Sequence, residues 1–377
     1  MARAAGNILM DRRHDGRPYS GRTRGAPLRL AAFIVGVCAA LIGGALGAGY
    51  ASGTPRGAWL AYAAEDIAGI GDIMLYDAAR GVAHNLTRTR TQNETRPVWS
   101  PDGRWLAFEC NYPDHLRGFC LIEPAAAPTA YRRYEGSLGQ RPAWSPDGNA
   151  ISWGESDRLS ARGYVLRAAD FLASDPPSVG TGWIVGSLYS AMEYAWMPDS
   201  AQLVYSSYSD RAARVYLTHA REDEARELPQ PESDNFEPTP SPDGRWIAFV
   251  SVNGYKRRIM LLDTTTNDYA PLTDGGSIGN DFSPAWSPDG TRLAFLSDRD
   301  GADFDVFIMD MDDRELHQVT ANYFLDDSLA WSPDGTRLAL MSNRDGSFHV
   351  YILDLISGGT TRVTHEASFN NFPAWRP

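Results

Sequence analysis

Trp99-Ser100-Pro101-Asp102-Gly103 recurs as Trp144-Ser145-Pro146-Asp147-Gly148, Trp286-Ser287-Pro288-Asp289-Gly290 and Trp331-Ser332-Pro333-Asp334-Gly335. Two degenerate copies lie between them, Trp196-Met197-Pro198-Asp199-Ser200 and Pro240-Ser241-Pro242-Asp243-Gly244. Successive aspartates are 45, 52, 44, 46 and 45 residues apart. This period constrains the fold more than any bulk property of the chain. A unit this short cannot bury its own apolar face and must stack on copies of itself.

Within one period the pattern reads as four short strands. The tryptophan segment is the first. Ser-Pro-Asp-Gly is a turn, with Pro pre-setting φ and Gly tolerating the last position. Arg292-Leu293-Ala294-Phe295-Leu296-Ser297 then reads as an alternating strand, and Asp298-Arg299-Asp300-Gly301 as a second turn. Asp305-Val306-Phe307-Ile308-Met309-Asp310 is a β-branched and aromatic third strand, and a fourth ends near Val319-Thr320. Four strands per unit predict a β-propeller blade. The chain stops at Pro373-Ala374-Trp375-Arg376-Pro377, a first strand without successors, while Ala58-Trp59-Leu60-Ala61-Tyr62 matches a second strand without a predecessor. The two ends therefore complete one blade. The expectation is an all-β, seven-bladed propeller over 58–377, closed by pairing of its N- and C-terminal strands.

The repeated W-S-P-D-G…L-A-F…R-D-G pattern resembles the WD40-like (PD40) repeat of TolB-like propellers, and the resemblance covers nearly everything after residue 57. It implies the propeller and leaves the activity open, because the fold serves many functions. TolB itself has six blades behind an α/β domain. Here seven are counted, behind an apolar segment. The expectation from these 377 residues is a propeller without the hydrolase domain of propeller-bearing serine peptidases.

That apolar segment, residues 30–50, has no charged side chain and is long enough to cross a bilayer as a helix. Residues 1–29 hold seven arginines against Asp11 and Asp15. The positive-inside rule predicts a cytoplasmic 1–29, a transmembrane signal-anchor at 30–50, a linker at 51–57, and a propeller in the periplasm or outside the cell. Gly49-Tyr50-Ala51 also has the spacing of a cleavage site, so release after cleavage is the alternative. The formal net charge of −12 argues against nucleic acid as a partner.

No linear catalytic, phosphate-binding or zinc motif is present, and the seven histidines fall at unrelated positions of the repeat. Asp298, Asp300, Asp303 and Asp305 read as turn residues rather than a calcium loop. These readings predict a non-enzymatic protein with no cofactor and no metal. Cys110 ends a second strand and Cys120 lies in the neighbouring third, which permits a disulfide outside the cytoplasm; two buried thiols are the alternative.

Three residues before each tryptophan position stand Arg96, Arg141, Glu193, Glu237, Ser283, Ser328 and Phe372. This register varies while its neighbours repeat, and packing alone does not require the variation. It predicts a ring at the channel mouth with a basic arc, an acidic arc extended by Asp281 and Asp327, and a neutral remainder. Such a mouth fits a protein partner or envelope component recognised by charge, with the chain acting as a membrane-tethered scaffold. A small-ligand sensor, or a lactonase- or lyase-like enzyme using the axial channel, is the alternative.

Overall fold

The computed structural model describes residues 59–377 except 67–68, 90–91, 112–116, 125–131, 134–138, 158–162, 173–177, 181, 189–192, 210–211, 223–224, 275–278, 302, 322–323 and 366–368. The expected membrane segment, with 1–29 and 51–57, lies outside the described residues. Among the described residues no helix is long and apolar enough to cross a membrane.

Seven antiparallel sheets make the propeller. Blade 1 runs Phe369–Trp375, Trp59–Glu65, Gly71–Asp77, Val82–Asn85, so the last strand of the chain is its innermost. Leu60 faces Trp375 and Glu65 faces Phe369 across this closure, as the split unit predicts. Arg376 adds a clasp, its amide donating to Trp59 O at 2.9 Å and its Nε to Gly103 O at 2.8 Å in blade 2. The first strands of blades 2 to 7 are Asn93–Trp99, Gly139–Trp144, Tyr194–Trp196, Asp234–Pro240, Asp281–Trp286 and Asp326–Trp331. Blade 3 explains the long 52-residue interval. Its third strand, Gly163–Leu172, pairs with an additional strand, Trp183–Leu188.

The repeated motif is a hydrogen-bonded turn. In blade 6, Ser287 Oγ donates to Asp289 Oδ1 at 2.6 Å and accepts from Arg292 N at 2.9 Å, while the same aspartate oxygen accepts from Thr291 N. Gly290 follows at φ 72°, a conformation that costs glycine nothing. Blades 2, 3, 5 and 7 repeat the serine–aspartate bond. The tryptophans staple neighbours: Trp99, Trp144, Trp196, Trp286 and Trp331 each donate Nε1–H to a carbonyl of the preceding blade, at 3.0–3.3 Å.

Second strands were expected to alternate, and they do not. Leu293, Ala294, Phe295 and Leu296 are all buried, as are Leu106, Ala107 and Phe108 in blade 2. Each blade packs face to face against one neighbour on either side, so both faces of an inner strand are covered. Its sequence then reads as a continuous apolar run. The cores accordingly lie between blades; Leu338 and Leu340 of blade 7, for example, pack with Ala294 and Leu296 of blade 6.

Candidate functional site at the axial mouth

Six of the seven first strands pair with a register slip, a bulge; that of blade 4, Tyr194–Trp196, pairs without one. In blade 2 the register slips between Thr95 and Val98, leaving Arg96 and Pro97 unpaired, and the same slip occurs in blades 3, 5, 6 and 7. The residue that opens the slip takes a left-handed conformation: Arg96, Arg141, Glu237, Ser283, Ser328 and Phe372 lie at φ 52–56°. Non-glycine residues adopt this conformation rarely and at a cost, and such positions concentrate at functional sites. Proline follows in five of the six, at 97, 142, 238, 284 and 373, where its missing N–H is lost from no ladder.

These positions are the predicted ring register, and they converge. Arg96, Arg141, Glu193, Glu237, Ser283, Ser328 and Phe372, one from each blade, line a single pocket of about 620 Å³. Only the propeller axis is shared by all seven blades, so this pocket is the channel mouth. Its size suits a small ligand.

The two sides of the mouth differ in charge. Arg96 stacks on the Phe372 ring, 4.2 Å from its centroid, and its Nε lies 3.4 Å from Glu109 Oε1. Burial and the neighbouring Arg141 charge pull its pKa below the usual arginine range. On the acidic side, Glu193 Oε2 accepts from Glu237 N at 2.9 Å and from Ser206 Oγ at 3.4 Å. Burial pushes the Glu237 carboxyl up, with Glu193 and Asp327 adding to it and the Ser283 amide and Arg257 opposing it. Tyr194 sits beneath, its hydroxyl donating to Arg141 O and to Ser152 O, and burial pushes this phenol up.

Asp327 lines the pocket, as expected. Asp281 does not. It is fully buried and bonded to Arg299 at 2.7 Å, because it lies two residues before the bulge, where the side chain turns into the blade instead of toward the axis. Glu109 and Tyr194 belong to the site and were not anticipated. Glu109 had a signal: it interrupts an apolar second strand where blades 5, 6 and 7 have Val250, Leu296 and Met341. Tyr194 had none, since an aromatic beside a tryptophan reads as packing.

Asp298 is engaged by the amide and side chain of Asn280, and Asp305 by Thr320. No group of three or more metal-ligating side chains occurs among the described residues. Cys110 and Cys120 are buried with their sulfurs in bonding contact and their Cα atoms 6.0 Å apart, within the span of a disulfide.

Residues 276–377 match the TolB β-propeller domain family, PD40. Over that C-terminal stretch the chain resembles the TolB-like propellers. TolB from Acinetobacter baumannii superposes with a TM-score of 0.54 at 16% identity, over 85% of this chain and 83% of that one. Puromycin hydrolase superposes with a TM-score of 0.62 at 14% identity, over 83% of this chain and 53% of that one. A Bacillus subtilis protein described as uncharacterized peptidase YuxL is 37% identical over 90 residues, 22% of this chain and 13% of its own length. These likenesses correct the expectation of a non-enzyme. A similar fold occurs in a named hydrolase, and the Bacillus relative is described as a peptidase, so the lack of a linear catalytic motif is no argument against catalysis.

Proposed function

We propose that this TolB-like propeller binds a small ligand carrying both charge types in its axial pocket, and that Glu237 supplies acid–base chemistry there. The observation that carries the reading is the convergence of seven variable positions, six of them in a left-handed conformation, on one pocket with arginines on one side and carboxylates on the other. Non-glycine residues held in this conformation at variable positions around one pocket support ligand contact there. A buried carboxyl whose pKa is raised, beside a second carboxylate, can hold and return a proton during a reaction. This reading takes precedence over a protein-interaction scaffold because the seven positions enclose a volume, where a scaffold would present a flat face. The arginine-flanked run at 30–50 supports a membrane anchor with the propeller outside the cytoplasm.

The test is a screen of zwitterionic peptides and acidic sugars against the full-length protein, following both binding and product formation. A hit should be turned over by the parent, and Glu237→Gln should slow turnover by about a hundredfold or more while still binding it. Ligands that bind away from the pocket, or turnover unchanged in Glu237→Gln, would overturn the proposal.

A further inference from the structure

Four amides of the mouth are capped by carboxylates of the chain itself. Glu109 Oε1 accepts from Arg141 N at 2.7 Å, Glu193 Oε2 from Glu237 N at 2.9 Å, and Glu237 Oε2 from Ser283 N at 2.5 Å. In these three the carboxylate belongs to one blade and the amide to the next. Ser328 N is served within its own blade, by Asp327 Oδ1 at 2.6 Å. The ring thus has a rule: an amide at the bulge is met by a carboxylate.

Two positions break it. Among the described residues, no side-chain carboxylate accepts from Phe372 N or Arg96 N, although both residues hold the same left-handed conformation. These adjacent blades are also where the guanidinium groups of Arg96 and Arg141 gather. A second cavity, of about 300 Å³, opens at this arc. Both arginines lie on its lining, and the remainder is largely apolar: Val98, Pro142, Leu329, Phe372 and Pro373. Guanidinium and backbone amides together recognise carboxylates with charge-assisted bonds, strengthened where water is excluded.

We propose, building on the ligand-binding reading above, that this arc is a subsite for a carboxylate borne on a small apolar group. The ligand carboxylate takes the place in blades 1 and 2 that Glu109, Glu193 and Glu237 hold elsewhere in the ring. It caps a bulge amide that no carboxylate of the described residues meets, and pairs with Arg96 and Arg141. The apolar group rests on Val98, Leu329 and the prolines. Selection is for one negative charge with an aliphatic neighbour, and against amides and cations.

Isothermal calorimetry on the full-length protein tests this with three probes: N-acetyl-leucine, N-acetyl-leucinamide and acetate. N-acetyl-leucine should bind at least about tenfold more tightly than either of the others. Arg96→Gln should abolish that preference. Ser328→Glu, which plants a competing carboxylate beside the subsite, should do the same and serves as the second variant if Arg96→Gln does not fold. Equal binding of acid and amide, or a preference that survives Ser328→Glu, would overturn the subsite. So would failure of all three probes to bind while a cationic or zwitterionic ligand still occupies the pocket, and that outcome leaves the proposed function standing. If no ligand of any charge enters the pocket, both fall.

Discussion

Blades 6 and 7 differ from blade 2 at three equivalent positions. In blade 6, buried Asp281 accepts from Arg299 Nη2 at 2.7 Å, and Arg299 Nε donates to Ser297 Oγ at 2.9 Å. Blade 7 repeats this with Asp326, Arg344 and Ser342, at 3.2 and 3.0 Å. The same positions in blade 2 carry Glu94, Tyr112 and Cys110; residue 112 lies outside the described residues. Glu94 is fully buried, and neither carboxylate oxygen makes a hydrogen bond of good geometry. Burial pushes its pKa up to about 8, the Asp72 charge adding to it and the nearby Thr87 hydroxyl and Ile73 amide opposing it. Cys110, directly opposite Glu94 in the strand register, contacts Cys120 instead of an arginine. One backbone design is therefore held by an ion pair in two blades and by sulfur in a third, next to a buried carboxyl whose pKa is raised. The lesson is that a repeat constrains backbone geometry and burial, while the means of satisfying a buried polar position can change from copy to copy.

The strongest challenge to this contrast is Arg299→Ala. It strands the Asp281 carboxylate in a site with no exposure, and a loss of about 3–5 kcal/mol is expected in urea denaturation. A loss below about 1 kcal/mol would mean that the ion pair is incidental to the blade.

The sulfur side of the comparison is next in size. Reduction should cost roughly 3 kcal/mol, the chain-entropy value for so short a loop. Intact mass after alkylation of the unfolded, unreduced protein should show Cys110 and Cys120 both unmodified. Labelling of both would remove sulfur as the blade 2 pin.

The smallest effect sharpens the contrast through pH. The folded-state pKa of Glu94 stands above its ordinary 4.5, so the folded protein holds a proton that the unfolded chain has released. Its contribution to stability is complete below about pH 4.5 and is lost as pH rises toward 8. Glu94→Gln should thus be near neutral at pH 4.5 and stabilising by about 1–3 kcal/mol at pH 8. Asp281→Asn, which abandons a paired charge, should destabilise at both. Parallel pH profiles for the two variants would erase the distinction between the blades.

The repeat, its turn chemistry and the split blade were legible in the chain, because each rests on local rules: proline and glycine at fixed turn positions, and strands that need partners at both ends. The ring register was legible too, as a column of variable residues between repeating ones. The conformation of that column was not read, although the recurring proline after it at 97, 142, 238, 284 and 373 was a usable sign of a bulge.

Sequence by itself determined the all-β architecture, the count of seven and the closure of the ring, since stacking and edge pairing are demanded by every unit alike. Tertiary structure alone decided that Asp281 turns inward to Arg299 while Asp327 reaches the mouth, and that Glu109 joins Arg96 and Arg141 at the axis. It also decided that Glu94 sits without an arginine. The physical reason is that a side chain's direction at a bulge, and the charge it meets, depend on residues one or more blades away. Residues some 45 positions apart in sequence become neighbours only when the ring is closed.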